Sequence, residues 1–569
     1  SLFLFRENSP AAQIIRQTIY DGPVDVVNYR AMPVILSRLP SLENEDVFFQ
    51  AVQVNPGEPV VNASGRISRL VKGTRYRPAG CRAADCVEAY QGSGPVELDQ
   101  LVIDFRLLSD LRWSDGKPLT AGDSVFAYQL GRDLYGDRAP VKFSLTESYR
   151  RLSATRTRWR GVPGFQSPYH YQAYFFTPLP EHRWGDLNRQ QLLGSDLTNR
   201  RPLGWGPYQI EEWAAGSHLI LSKNPNYQAW AGLDPAFDQV VFRFMPGVPE
   251  ALQALAAGEC ELAAELEGWP SYHDRLAALD QEGELDLVFQ EGGAWEQITF
   301  GVQPRDQRPA FFAQPEARRA AALCINRPDL ISVEPRAGQV AGTYVPAGHP
   351  GAVREAGLYP YNPAAGNRLL EGAGWVDRDQ DPETPREARG VPGIPDGTPF
   401  EISLLVFQER EQSPGVEIIA DGLAQCGIKA EVTGLPSEEL LAPGPEGPIF
   451  GRNFDLAQFA WSRGNYQLCS LFLTEEIPGS PPQQPRGWGG ANAAGYSNPA
   501  YDQACWQSLT SLPDSEQAQE GFQEAQVIFG EELPALPLYF RRDLVLTVPG
   551  FPALESGSFI PLWDLEAWE

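Results

Sequence analysis

The chain has 569 residues, 42% hydrophobic and 21% charged, with 54 Gly and 51 Pro: length for two or three domains with a large core, and a turn-rich globular composition that excludes disorder throughout. A net charge of −27, from 73 acids against 46 bases, argues against a nucleic-acid backbone or an anionic lipid surface as the partner of the chain as a whole, while leaving room for a local basic patch. No run of 18 apolar residues occurs, so no membrane-spanning helix is expected.

Ser1-Leu2-Phe3-Leu4-Phe5 reads like the middle of a strand, which implies ordered sequence before Ser1. A helix over 11–20 would carry Ile14, Ile15 and Ile19 on one face. Residues 51–100 read as short strands and turns, with Pro59 acceptable only as a first strand residue or on an edge. Leu101-Val102-Ile103-Asp104-Phe105 is a strand, Asp115-Gly116 a turn, and Thr120 with Asp123 an acidic capping pattern that opens a helix. Residues 140–200, rich in Arg, aromatics and Pro, show little periodicity. Strand, Gly turn and strand follow over 207–221, then a strand at 240–244 and a helix over 250–257 closed by Gly258. Beyond these come strands at 297–302, 400–407 and 428–432 and helices at 316–325, 364–373 and 416–426. Recurrent strand–helix–strand units predict an α/β fold.

Seven cysteines form no C-x-x-C and no Cys/His spacing suited to zinc. Cys81 and Cys86, with four residues between them in a Gly-, Arg- and Ala-rich loop, are expected to close a small disulfide, and Cys469 with Cys505 flank a Pro/Gly-rich loop and could pair. Cys260, Cys324 and Cys426 fall in helix-like contexts and are expected as free thiols. Disulfides would imply export. The five histidines are scattered, and no nucleophile elbow, Walker loop, dinucleotide fingerprint or H-E-x-x-H occurs. No enzyme and no cofactor is expected, although the two carboxylates of a glycoside hydrolase are too little to search for among 73 acids.

Leu111-Arg112-Trp113-Ser114-Asp115-Gly116-Lys117-Pro118-Leu119-Thr120-Ala121-Gly122-Asp123-Ser124-Val125-Phe126 resembles the signature of family 5 extracellular solute-binding proteins, the oligopeptide/dipeptide-type receptors of ABC importers. Gly204-Trp205-Gly206-Pro207-Tyr208, Asn224-Pro225-Asn226-Tyr227, Ala257-Gly258-Glu259, Asn362-Pro363 with Leu369-Leu370-Glu371-Gly372-Ala373-Gly374-Trp375, Gly427-Ile428-Lys429 and Leu536-Pro537-Leu538-Tyr539 follow in the family's order. The resemblance spans roughly 10–550. It implies a two-lobe periplasmic-binding-protein type II fold with a hinge: a first lobe of 1–295 with 35–180 as an inserted subdomain, a second lobe of 296–539, and a C-terminal return of 540–569. It also implies an extracytoplasmic monomer, tethered by a lipid on a missing N-terminal Cys, that closes on an oligopeptide and delivers it to an ABC permease.

Within the resemblance, Trp461, Arg463, Asn465 and Tyr466 stand where peptide-binding members carry an acidic residue for the peptide amine. Arg463-Gly464-Asn465 departs from that pattern, and Arg463 suits a carboxylate or a hydroxylated ligand. Trp295, Trp488, Asn492, Tyr20 and Trp205 complete the expected ligand set, with aromatic faces for stacking. An oligosaccharide is therefore the alternative ligand; a sensory receptor without transport, or a carbohydrate-active enzyme, is the alternative of another class. Asp377, Asp379 and Asp381 resemble the start of a calcium loop, but Pro382 replaces its Gly and Ala388 its last acid, so a solvated turn is expected there and no metal.

Overall fold

In the computed structural model the described residues are 1–554 without 7–8, 82–85, 137–138, 167–169, 229–234, 380, 382–383, 463–467, 482, 485, 514 and 553. The chain divides into two units. The first holds Ser1–Gln290, Thr510–Pro513 and the segment from Leu544; the second holds Glu291–Leu509 and Asp514–Asp543. Two of the passages from one unit to the other fall within strands, Asp286–Phe300 and Ala535–Thr547.

The first unit is built on an antiparallel sheet in the order Val47–Val54, Val96–Arg106, Arg156–Gly161, Thr146–Arg151. Leu101, Ile103, Phe105, Tyr149, Thr157 and Trp159 alternate onto one face and are buried there. The helix Ala121–Tyr135 packs on the strands Thr146–Arg151 and Arg156–Gly161. The capping pair starts it: Asp123 Oδ2 accepts from the Thr120 N–H at 2.7 Å and Thr120 Oγ1 from the Gly122 N–H at 3.2 Å, satisfying donors that the first turn cannot. The hairpin of Tyr208–Ala214 and His218–Lys223 continues into Gln239–Arg243 as a three-stranded sheet. A smaller core joins the helices Val248–Ala256 and His273–Gln281 to Leu544 and Leu546 of the return.

The Arg-rich stretch in which no element was expected supplies two of the four strands of the first sheet, Thr146–Arg151 and Arg156–Gly161. Arg156, Arg158 and Arg160 alternate with buried Thr157 and Trp159, so a period of two is present but is carried by arginines in place of smaller polar residues. Ser1–Phe5 is no strand: the consecutive Leu2 and Phe3 are both buried in the core, without the alternation of a strand, and the Leu2 N–H donates to the Asn199 carbonyl at 2.8 Å.

In the second unit Glu401–Phe407, the helix Pro414–Ala424 and Lys429–Leu435 form a βαβ unit whose strands pair in parallel from Glu401 opposite Lys429 to Phe407 opposite Leu435. Leu456–Ser462 pairs in parallel with Glu401–Phe407 and antiparallel with Asp286–Phe300. The helices Pro315–Cys324, Arg327–Val333, Pro363–Gly372 and Pro414–Ala424 each carry Pro in the first turn, where its missing N–H is no loss. Their inner faces and Ile298, Phe300, Leu404, Val406 and Leu456 make one core.

Three disulfides are present: Cys81–Cys86, Cys324–Cys426 and Cys469–Cys505, with Cα atoms 5.9, 6.3 and 5.7 Å apart. The free-thiol expectation for Cys324 and Cys426 is thereby corrected. The ends of two helices converge there, and Gly366 of a third lies against the bridge, where an added Cβ would sit 2.5 Å from the Cys324 sulfur. Cys260 is a free, half-buried thiol.

Candidate functional site

In α/β sheets ligands gather beyond the carboxyl ends of parallel strands. In the second unit that edge is formed by Phe407, Leu435 and Ser462. Directly after Phe407 the chain makes a short 3-10 turn, Gln408–Arg410. Arg410 donates from Nη1 to Glu296 Oε1 at 2.9 Å and from Nη2 to Glu334 Oε1 at 2.5 Å. Arg541 donates from Nε and Nη2 to the other Glu296 oxygen at 3.0 and 2.6 Å. Tyr539 stands 3.4 Å from Arg410 and 3.5 Å from Glu334, and the Gln458 amide donates to Glu296 at 3.4 Å.

The Glu296 side chain is fully buried, whereas those of Arg410 and Arg541 keep 16% and 28% of their exposure. Two cations face two anions, so the network compensates its own charge. Burial would lower the Arg410 pKa, but the charges of Glu296, Tyr539 and Glu334 outweigh it and raise it. Guanidiniums that are partly open and held by carboxylates can exchange one carboxylate for another, including one on a ligand.

Trp461 lies half-buried near the end of Leu456–Ser462 and is the cross-strand partner of Trp295. Trp295 is wholly buried, its indole N–H on Gln297 Oε1 at 2.9 Å. Trp461 packs edge-on against Phe450 and Phe459. Arg463, Asn465 and Tyr466 lie outside the described residues. Trp488 is half-buried in the short turn Gly487–Gly489, with the Arg305 guanidinium 5.1 Å from its ring centre. The buried Asn492 amide is committed to the carbonyls of Phe472, Leu473 and Tyr496, which fixes the loop around it.

In the first unit Tyr20 and Trp205 are buried against each other, ring centres 5.0 Å apart, and Trp205 also meets Trp113 edge-on. The Gly-x-Gly of the signature allows this: an added Cβ on Gly204 would run into the Ile19 carbonyl, as would one on Gly206 into the Ile19 backbone. The Trp205 indole donates to the Asp21 carbonyl at 2.8 Å. Beside them, Asp21 receives the Tyr227 hydroxyl at 2.7 Å and Asp25 the Gln17 amide at 3.0 Å. Among the described residues no cation figures among the groups acting on either carboxylate. Burial pushes Asp21 up to about 6; burial and then the Asp21 charge push Asp25 up to about 7.

The expected ligand set held the aromatic residues and none of these charged groups. A lone glutamate in the apolar strand Ala294-Trp295-Glu296-Gln297-Ile298 was a signal for Glu296; Asp21 and Asp25 gave none, since a Gly-Pro turn surrounded by acids is ordinary surface sequence. In the acidic loop the Asp379 and Asp381 N–H groups each donate to the aspartate two residues earlier, and Asp377 lies 3.8 Å from Arg386. Among the described residues no group of three His, Cys, Asp or Glu is placed to hold a metal.

The family model described as bacterial extracellular solute-binding proteins, family 5 Middle, matches residues 93–474. The chain belongs to this family. It is similar to the oligopeptide-binding protein AppA of Bacillus subtilis, 22% identical over 491 residues, 83% of this chain and 81% of that one. It is also similar to the peptide transport periplasmic protein SapA of Salmonella typhimurium, 24% identical over 436 residues, 74% and 71% of the two chains. Among solved structures, the oligopeptide binding protein from Thermus thermophilus, complexed with a pentapeptide, superposes with a TM-score of 0.58 at 20% identity, covering 100% of this chain and 93% of that one. The ABC transporter substrate binding protein CtaP from Listeria monocytogenes gives 0.68 at 16% identity, with 99% and 96% covered. The fold is the α/β fold of type II periplasmic binding proteins. No described helix of this solute-binding protein is long and apolar enough to cross a membrane.

Proposed function

We propose that this chain is the extracytoplasmic receptor of an ABC importer, a monomer that captures an oligopeptide by hinge closure and delivers it intact to a membrane permease. The observation that carries the reading is the family match, joined by relatives named for oligopeptide, di/tripeptide and glutathione binding over most of the chain. The charged groups support it. Within the second unit, Arg410 and Arg541 are partly open guanidiniums that can exchange one carboxylate for another, as a peptide's carboxylate would require.

A thermal-shift screen of short peptides beside α- and β-linked oligosaccharides tests this. Ligand at about a hundred times its Kd adds about 2.7 kcal/mol of stability and raises the midpoint. Peptides are expected to raise it, N-acetylated peptides to do so less, and the peptide to be recovered unchanged. A rise with oligosaccharides alone would overturn the peptide reading in favour of a sugar receptor, and consumption of the ligand would overturn the receptor reading itself.

A further inference from the structure

One face of the first unit's four-stranded sheet gathers positive charge in an acidic chain. Arg156, Arg158 and Arg160 alternate along one strand with the core residues Thr157 and Trp159 and so share the opposite face. Register extends the set: Arg106 pairs with Arg156 on one side, and Arg150 with Arg158 on the other. Arg38 joins through Asp46, which it shares with Arg106 at 2.6 and 2.8 Å. Asp104 is likewise shared by Arg156 and Arg158 at 2.8 and 2.6 Å.

The two aspartate side chains are almost wholly buried while the four arginines keep between a quarter and a half of their exposure. The carboxylates therefore hold the guanidiniums from beneath. Arg150 and Arg160 make no ion pair among the described residues, and the Arg160 Nε finds no acceptor. The third acid on this face is Glu147, bound by the Gln100 amide at 2.7 Å. On the strands themselves five arginines stand against Asp104 and Glu147, an excess of three positive charges in a chain of net charge −27, while the loop that brings Arg38 also brings Asp46 and the exposed Glu43 and Glu45.

The other end of the same face is closed. There Leu98, Val52 and Val54 pack under Val60, Leu70, Tyr76 and Tyr90 of the small hairpins. The open end is instead punctuated by Phe48, half-buried, with the Arg158 guanidinium 5.4 Å from its ring centre. The arginines are spread over neighbouring strands about 4.8 Å apart and over alternate residues along each; they do not converge on a pocket. A small anion needs convergent donors. An extended array of forked donors fits an extended array of phosphates.

We propose that this arginine face docks the protein on a membrane surface bearing anionic phospholipid headgroups. Charge complementarity selects the orientation, because the net charge of the chain as a whole is repelled by such a surface. Each arginine near such a surface is worth about fivefold in partitioning, and added salt weakens it.

The test is co-sedimentation of the 569-residue chain, without added peptide, with phosphatidylcholine vesicles and with vesicles containing phosphatidylglycerol. Binding is expected only to the second, and to fall as salt is raised. Arg150→Gln with Arg160→Gln removes the two arginines that hold no carboxylate, so the fold is kept, which an unchanged unfolding midpoint confirms; binding should fall roughly 20-fold. Arg354→Gln with Arg368→Gln, two exposed arginines of the second unit, should leave it unchanged. Equal binding to both vesicle types, no binding to either, or an equal loss in the control pair overturns the proposal. Full displacement by inorganic phosphate at matched phosphate concentration would reassign the face to a small anion, and capture by polyglutamate without capture by vesicles would reassign it to an acidic protein; both overturn the membrane assignment. Peptide binding is not read in any arm, so the outcome stands apart from the proposed transport role.

Discussion

Glu296 in the second unit and Asp21 with Asp25 in the first are carboxylates taken largely out of water, and their surroundings are opposite. Glu296 lies between Arg410 and Arg541, with Gln458 completing its hydrogen bonds. Asp21 and Asp25 have a phenol, an amide and each other. Asp46, on the arginine face, resembles Glu296: burial raises its pKa, but Arg38 and Arg106 more than reverse this and hold it below the ordinary carboxylate range. Where a guanidinium is supplied, the anion is part of the folded structure. Where none is supplied, desolvation must be met by a proton or by a cation from outside.

Glu296→Gln should break this contrast most visibly. It leaves Arg410 with Glu334 alone and Arg541 with no carboxylate, and breaking a buried pair by removing one partner costs about 3–5 kcal/mol. Denaturant unfolding should show the second unit losing about that much. A loss below about 1 kcal/mol would mean that water already compensates these charges.

The disulfides divide in the same way between local and distant partners, and they show what can be read from sequence. Cys81 and Cys86 lie five residues apart in one loop, so their pairing needs no knowledge of the fold. Cys324 and Cys426 are 102 residues apart and meet only because a βαβ unit carries one helix end onto another. The capping pair Thr120 and Asp123, the Gly-x-Gly at 204–206 and the strand–helix–strand order were legible because each is local. Arg410 and Glu296, 114 residues apart, were not. The hairpin of Thr146–Gly161 was hidden for another reason: Arg156 and Arg158 stand over Asp104 of the neighbouring strand, and no pattern within the hairpin reports it. Loop length then orders the stabilities. Cys324→Ala with Cys426→Ala should cost roughly 4–5 kcal/mol, the pair Cys469 and Cys505, 36 apart, about 1 kcal/mol less, and Cys81 with Cys86 least. Equal costs would show that the bridges act on folded contacts and not on the unfolded chain.

Asp25→Asn sharpens the comparison at its other pole. An unfolded aspartate titrates near 3.9, whereas Asp21 and Asp25 titrate at about 6 and about 7 in the folded chain. Between about pH 4 and pH 7 the folded state therefore keeps protons that the unfolded state has released. It binds more protons, so stability falls as pH rises through this window and is level on either side. Asparagine keeps an oxygen for the Gln17 amide and carries no charge, so the variant escapes Asp25's share of the fall. It should match the parent near pH 4 and exceed it by roughly 4 kcal/mol near pH 8 in urea unfolding. The same advantage at every pH would mean that Asp25 gains from packing alone; no advantage at pH 8 would mean that a cation reaches it in solution. A peptide amine bound there would act as that cation. It would expel the proton that Asp25 holds at pH 6, so peptide binding should release protons in the parent and fewer in the variant, read as a buffer-dependent heat of binding.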